Sequence, residues 1–253
     1  MKVSVCMGTY NGQKYIIEQL NSIIPQLKND DEIIIVDDFS EDETYDIIKN
    51  LKNKQIRLHQ NDTNKGHVYT FGKSISLAKN EIIILSDQDD IWETNKIELI
   101  KNEISRKNIY LVTTNHDLFF DSLSNTKPSI KKLKSKDSNN YLGNVIRIFA
   151  GRTSYFGCTM GFRKEFKDYI LPIPKYVESH DIWFALAANI LRSNIHLDDI
   201  TVHRRIHDSN VTKNTRSVLA IIRTRIIHLI SIIELLKRKR EFISRNKFLT
   251  SEK

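Results

Sequence analysis

The sequence predicts an α/β protein in which a mainly parallel sheet is flanked by helices and followed by a C-terminal amphipathic helical tail. Three observations carry this expectation. Short β-branched runs alternate with segments of helical period through the first half. The links between them are short and polar, the form taken by βαβ units whose sheet is covered on both faces. Beyond Thr212, polar residues spaced by three or four run along an otherwise apolar stretch.

In chain order, Val3–Cys6, Ile33–Val36, Ile56–His59, Ile82–Leu85 and Tyr110–Thr113 read as strands. Each is a brief β-branched run bounded by turn residues. Between them Ile16–Ile24, Thr44–Lys52, Val68–Lys79 and Lys96–Ser105 have helical period, and Ser40 or Asp42 is placed to cap the second of these helices. From Leu118 to Asn140, Ser, Asn, Lys and Pro replace the pattern, which predicts an exposed connection. Period returns at Tyr141–Ala150, followed by a strand-like Gly157–Phe162 and a helix from Asp181 to Leu191. In the tail, Thr224, His228, Ser231, Glu234 and Arg238 form a polar row opposite a broad apolar face. The division expected is a domain over 1–212 and a helical tail over 213–253.

Composition narrows the function classes. The 253 residues are 40% hydrophobic and 28% charged, ordinary for a globular protein. Net charge is +8, yet residues 213–253 hold eleven Lys/Arg against three Asp/Glu, leaving 28 of each sign in the rest. The basic character therefore belongs to the tail, which argues against a nucleic-acid-binding surface on the domain. Cys6 and Cys158 lie in apolar surroundings without metal-ligand spacing, and are expected as reduced thiols. Met1-Lys2 runs straight into the first strand, so the expectation is a cytoplasmic protein without a signal peptide.

The chemistry sits where strands end, the place where open α/β sheets build their sites. "LSDQDDIW" runs a buried strand into Asp87, Asp89 and Asp90. Carboxylates crowded at that point suit a hard divalent cation, which takes oxygen ligands and shares them with substrate phosphates. The bland alternative is a solvated acidic turn or a helix cap. "IIIVDDFSEDET" repeats the arrangement with Asp37 and Asp38, a pair suited to gripping a nucleoside or to forming a turn. "GTYNG" after the first strand lacks the G-x-G-x-x-G of dinucleotide folds, and no P-loop is present. "ESHDIWF" sets Glu178, His180 and Asp181 at a helix start, as a cap or as a general base beside an aromatic pocket. "HRRIHDSN" gathers His203, Arg204, Arg205, His207 and Asn210, fit for a diphosphate, a metal or merely a polar loop. The tail's apolar face suits docking on the domain, an anionic membrane surface or a second copy of the chain. Only eight uncharged residues separate Arg225 from Glu234, too few to span a bilayer.

Together "VSVCMGTYNGQKYIIEQLNSI", "EIIIVDDFSEDET", "NKGHVYTFGKSISLAKNEIIILSDQDDIW" and "SHDIWFALAA" resemble the family 2 glycosyltransferases of GT-A fold, in family order from Met1 to about Asn210. "SDQDDIW" followed by "HD" and an aromatic resembles the bacterial rhamnosyltransferase-like branch. The resemblance implies an inverting, metal-dependent hexosyltransferase. It would move a sugar from a UDP- or dTDP-linked donor to a hydroxyl of a saccharide or lipid-linked saccharide, in surface polysaccharide or capsule synthesis. It implies Mg2+ or Mn2+ held by Asp89 and Asp87, with His207 at the metal or diphosphate and Asp90 in support. Nucleotide contacts would come from Thr9, Tyr10, Asn11, Asp38, Gly66 and Asp87, and Asp181 would be the base. Three positions depart from the pattern: Phe39 replaces a usual Gly, Gly8 a polar residue, and "RRIHDSN" a "YRQH" form. Two rival readings are a nucleotidyltransferase, which would carry a Gly-rich basic loop after the first strand, and a non-catalytic nucleotide-sugar or RNA-binding module using the basic tail.

Overall fold

The computed structural model describes residues 1–106, 109–120, 131–207 and 217–245. Its strands are β1 (Val3–Thr9), β2 (Glu32–Asp37), β3 (Ile56–Gln60), β4 (Ile82–Ser86), β5 (Ile91–Trp92), β6 (Leu111–Phe120), β7 (Met160–Arg163) and β8 (Asn194–Ile206). The helices are α1 (Ile16–Ile23), α2 (Thr44–Asn50), α3 (His67–Leu77), α4 (Lys96–Ile104), α5 (Tyr141–Phe149), α6 (Lys167–Ile170), α7 (His180–Leu191) and α8 (Val218–Arg245).

All eight strands join one sheet in the order β3-β2-β1-β4-β7-β6-β8-β5. The first four in that order are mutually parallel. β7 runs against both β4 and β6, which returns β6 and β8 to the direction of β4. The carboxyl ends of β1, β2, β4 and β8 therefore share one edge, and that edge carries the site. Burial on both faces follows the pleat, because successive side chains of a strand point to opposite sides. In β4, Ile83 and Leu85 enter the apolar cluster shared with α3, α7 and α8, whereas Ile82 and Ile84 enter the cluster beneath α1 and α4. Each such fully buried Ile or Leu contributes roughly 1.5–3 kcal/mol of transfer free energy.

The structure corrects four local expectations. The exposed connection begins later than predicted, since Leu118–Phe120 continue β6. Leu133 within it is buried, its backbone N–H donating to Asn115 Oδ1 at 2.8 Å and its carbonyl accepting from Asn115 Nδ2 at 3.0 Å; residues 121–130 lie outside the described set. His203–Ile206, read as loop, form the end of β8 paired with Asp117–Phe120. Polar side chains hide this strand from any hydrophobic pattern, and pairing with β6 overrides propensity. Ile91-Trp92, assigned to no strand from the sequence, pair with Val202 and His203 as β5. Gly157–Thr159 make a turn of 3-10 helix before β7 begins at Met160.

Helix α8 is turned inside out relative to its pattern. His228, Ser231, Leu235 and Phe242 are the buried residues, and the polar row faces the domain. Tyr169 Oη donates to the Leu235 carbonyl at 2.8 Å, Lys239 Nζ to the Ile190 carbonyl at 2.7 Å, and Arg238 to the Pro172 carbonyl at 3.0 Å. Ile222, Ile226, Leu229, Ile233 and Leu236, spaced by four and three, all face outward with roughly half their surface exposed. No described helix is long and apolar enough to cross a membrane.

Candidate active site

The loops after β1, β2 and β4 are laced together by their own side chains. Tyr10 N–H donates to Gln88 Oε1 at 2.8 Å, and Gln88 Nε2 returns a bond to the Tyr10 carbonyl at 3.0 Å. A Cβ on Gly12 would overlap that Gln88 amide, so the latch needs glycine there. Asn11, at φ 48°, receives Glu41 N–H on Oδ1 and donates its own N–H to Ser40 Oγ. Thr9 Oγ1 donates to Asp37 Oδ1 at 2.9 Å, and Asp37 also accepts from the Ser40 N–H and from Gln60. Asp37 is thus the clasp of the β2 turn. Asp38 accepts from Asn61 Nδ2 and from the Lys65 and Gly66 N–H groups, each at 2.8 Å. These bonds shape the loop into α3, with Gly66 at φ 85° as its cap. Phe39 holds φ 65°, a left-handed position where glycine costs nothing and a phenylalanine is strained. Thr9, Tyr10, Asn11, Asp38 and Gly66 therefore line one rim together.

The acids of "SDQDDIW" stand beside that rim and differ in environment. Asp90 is 2% exposed, and burial, then repulsion from Asp87 and Asp89, pushes its carboxyl up to about 8. Its Oδ1 accepts the Arg205 N–H at 3.1 Å, while its buried Oδ2 has no hydrogen-bond partner among the described residues. Asp87 rises to about 6 through burial, then the charges of Asp89 and Asp181. Asp89 is partly exposed and meets His207 Nε2 at 2.8 Å, a contact made because β8 ends on the same sheet edge as β4. Ligand atoms of Asp87, Asp90 and Cys158 lie within 4.8 Å of one another. Burial holds the Cys158 thiol far above its usual range, so it stays protonated and is no partner for a hard cation. The carboxylates, with one buried oxygen unsatisfied, fit a hard divalent ion well.

Asp181 opens α7, whose cap is Ser179. His180 Nε2 lies 3.0 Å from Asp181 Oδ1. Burial alone would raise the Asp181 carboxyl, but the close His180 charge and the Gly157 N–H lower it below the ordinary aspartate range. Burial likewise opposes protonation of His180, and the charges of Asp181 and Asp87 overcome it, so its imidazole is raised. The ring is locked by stacking on Phe71 at 4.2 Å. Asp181 is thus an ionised carboxylate whose charge is felt at Asp87, fixed in place by an immobile histidine.

Sequence reasoning missed two contributors, Lys96 and Gly157. Lys96 is wholly buried, its Nζ donating to the Cys158 carbonyl and lying 3.7 Å over the Trp92 ring. Burial drives it down to about 7, while the Asp90 and Asp87 charges oppose that fall. Its signal was positional, because Lys96, Ile100 and Ile104 share one helical face and a lysine is out of place there. Gly157 allows Asp181 and His180 to approach, since a Cβ would stand 2.8 Å from His180 Nε2. Arg204, whose charge lowers both Asp87 and Asp90, stacks on Phe156 at 4.7 Å. Of "HRRIHDSN", His203 turns away to Glu93 at 2.6 Å, Arg205 pairs with Glu18, and Asn210 falls outside the described residues.

The sequence profile of the family described as Glycosyl transferase family 2 matches residues 4–170. The chain belongs to that family. As a family 2 protein it is 36% identical over 95 residues to the UDP-Glc:alpha-D-GlcNAc-diphosphoundecaprenol beta-1,3-glucosyltransferase WfaP of Escherichia coli, covering 38% of each chain. It is 38% identical over 97 residues to the poly(ribitol-phosphate) beta-N-acetylglucosaminyltransferase TarS of Staphylococcus aureus, covering 36% of this chain and 16% of that one. The uncharacterized glycosyltransferase alr2836 of Nostoc sp. is 29% identical over 179 residues, 68% of this chain and 54% of its own. The chain thus spans about half the length of these relatives or less. The crystal structure of S. aureus TarS 1-349 in complex with UDP-GlcNAc superposes with a TM-score of 0.70 at 21% identity, over 100% of this chain and 76% of that one. The expected GT-A architecture is the one observed.

Proposed function

We propose that this family 2 domain is an inverting glycosyltransferase acting on a UDP- or dTDP-linked hexose. The observation that carries the reading is the convergence of Asp181 with the Asp87–Asp89–Asp90 cluster at one sheet edge, close enough that Asp89 and Asp181 act on Asp87, and Asp87 and Asp89 on Asp90. Asp181, kept ionised, accepts the proton of an acceptor hydroxyl as that oxygen attacks the anomeric carbon. His180 orients it, and the Gly157 N–H fixes the carboxylate plane. Attack from the base's side, opposite the diphosphate, inverts configuration. Asp89 and Asp87, with Asp90 behind them, would hold Mg2+ or Mn2+, which neutralises charge on the departing diphosphate when bound. His207, already on Asp89, is the group placed to adjust that contact. The rim from Thr9 to Asn11 with Asp38 and Gly66 takes the nucleoside.

The acceptor is read as a saccharide or lipid-linked saccharide of bacterial surface polysaccharide synthesis, because two relatives are named for phosphate-bearing carriers of that kind. Residues 1–212 carry the chemistry, and 213–253 bring the protein to its acceptor. The outward apolar row of α8, flanked by Lys237 and Arg240, suits the anionic inner face of a membrane better than water. This makes the protein a peripheral one on the cytoplasmic side. The test is release of free nucleoside diphosphate from a panel of UDP- and dTDP-sugars, rhamnose included, with and without Mn2+, and the anomeric configuration of the product. Metal-stimulated release with inversion is expected. Release of sugar 1-phosphate would point to nucleotidyl transfer, and retention of configuration would overturn the role given to Asp181.

A further inference from the structure

A cavity of about 400 Å3 lies between α7, the loop after α5 and the inward face of α8. Ser179 and Ile182, which bracket Asp181 in the chain, form one wall, and Thr224, Arg225, His228 and Ser231 of α8 form the other. The loop at its floor contains Gly151, at φ 67°, and leads on to Gly157, whose N–H binds Asp181. A Cβ on Gly151 would overlap the Arg225 guanidinium, so the backbone has been cleared for that side chain. Among the described residues Arg225 makes no hydrogen bond or ion pair. Glu178, the acid on the same wall, is engaged by Arg223 at 2.9 Å instead. A helix that turns its polar row inward and its isoleucines outward has thus delivered a guanidinium with five donors to a cavity walled by chain neighbours of Asp181.

We propose that this cavity is the acceptor's phosphate subsite. Arg225 receives the phosphate ester that joins the acceptor saccharide to its carrier, while the terminal hydroxyl reaches Asp181. Guanidinium matches phosphate oxygens in a fork, which a surface lysine does not. The carrier is a lipid diphosphate, because Ile221 at the cavity's edge leads onto the outward apolar row of α8. A polyol-phosphate chain offers the same phosphate chemistry without the apolar part. The subsite deepens the transferase reading above and rests on it for the identity of the acceptor.

Binding tests it without turnover. The full chain, its donor site saturated with UDP or dTDP and Mn2+, is titrated with phenoxyundecyl diphosphate, with phenoxyundecanol, and with a ribitol-phosphate oligomer. We expect the lipid diphosphate to bind best, Arg225→Gln to weaken it about tenfold or more, and Arg225→Lys to keep part of the loss from appearing. Nucleotide affinity and thermal midpoint stay unchanged in both variants, since Arg225 is a partly exposed helix-surface residue. Arg225-dependent binding of the ribitol-phosphate oligomer alone would keep the subsite and overturn the lipid carrier. Undiminished binding in Arg225→Gln, or equal binding of phenoxyundecanol, would overturn the subsite. A chain that binds lipid diphosphate through Arg225 yet releases no nucleoside diphosphate from any donor would instead defeat the transferase reading.

Discussion

Replacing Gly157 by alanine tests how tightly the base is held. The added Cβ would stand 2.8 Å from His180 Nε2 and 3.3 Å from Asp181 Oδ1, where ordinary contacts begin near 3.4 Å. The imidazole would have to retreat by about 0.6 Å. It has nowhere to go, being 4% exposed, stacked on Phe71 at 4.2 Å and edge-on to Phe184 at 5.7 Å. Either the His180–Asp181 contact at 3.0 Å opens, or the Gly157 backbone shifts and draws its N–H off Asp181. A misplacement of about 1 Å costs roughly a hundredfold in rate, so we expect kcat to fall about ten- to a hundredfold. Overpacking of this size destabilises by about 1–3 kcal/mol, leaving a folded protein. The nucleotide rim belongs to other loops, so the dissociation constant for UDP or dTDP should stay within about twofold, an expectation drawn from additivity at separated sites. Steady-state release of nucleoside diphosphate, nucleotide titration and thermal unfolding read the three quantities. A Gly157→Ala enzyme with wild-type kcat would refute the tight placement of Asp181.

Further outcomes follow from the same geometry. Asp181→Asn should lower transfer by about 10²–10⁴-fold and leave nucleotide binding intact, since a general base contributes on that scale; full turnover would sink its assignment. Asp89→Ala should instead lose Mn2+-dependent nucleotide affinity, measured by titration with and without chelator. Asp90 ionises near 3.8 when unfolded but near 8 when folded, so it costs nothing below pH 3.8 and destabilises the metal-free fold increasingly as pH rises toward 8. Asp90→Asn, which keeps the acceptor for the Arg205 N–H, should therefore stabilise the chelator-treated protein at pH 8 by about 1–3 kcal/mol, with the gain vanishing near pH 4 in thermal melts. A variant no more stable than wild type at pH 8 would show that Asp90 is not held neutral. Ile226→Glu with Ile233→Glu should abolish sedimentation with anionic phospholipid vesicles while transfer to a short soluble acceptor persists; undiminished sedimentation would remove α8 from the membrane contact.

Sequence by itself determined β1 to β4, the helices between them and the acids at their ends, because β-branched runs, helical period and turn chemistry are written within a few neighbouring residues. It also marked α7 and its leading Asp181, since a cap followed by an apolar run is equally local. Tertiary structure decided what those groups meet. His207 lies on Asp89 across 118 positions of chain, and Arg205 N–H reaches Asp90 across 115. Such pairings arise only once β6 has drawn polar β8 into the sheet. Lys96 beneath the acids and Gly157 beneath the base owe their roles to packing from elements distant in sequence, and the tail's pattern located a polar row without saying which way it would face. That direction was set by the carbonyls of Leu235, Pro172 and Ile190 finding donors across the α6–α7–α8 contact, an outcome of three-dimensional hydrogen-bond satisfaction that no local period encodes.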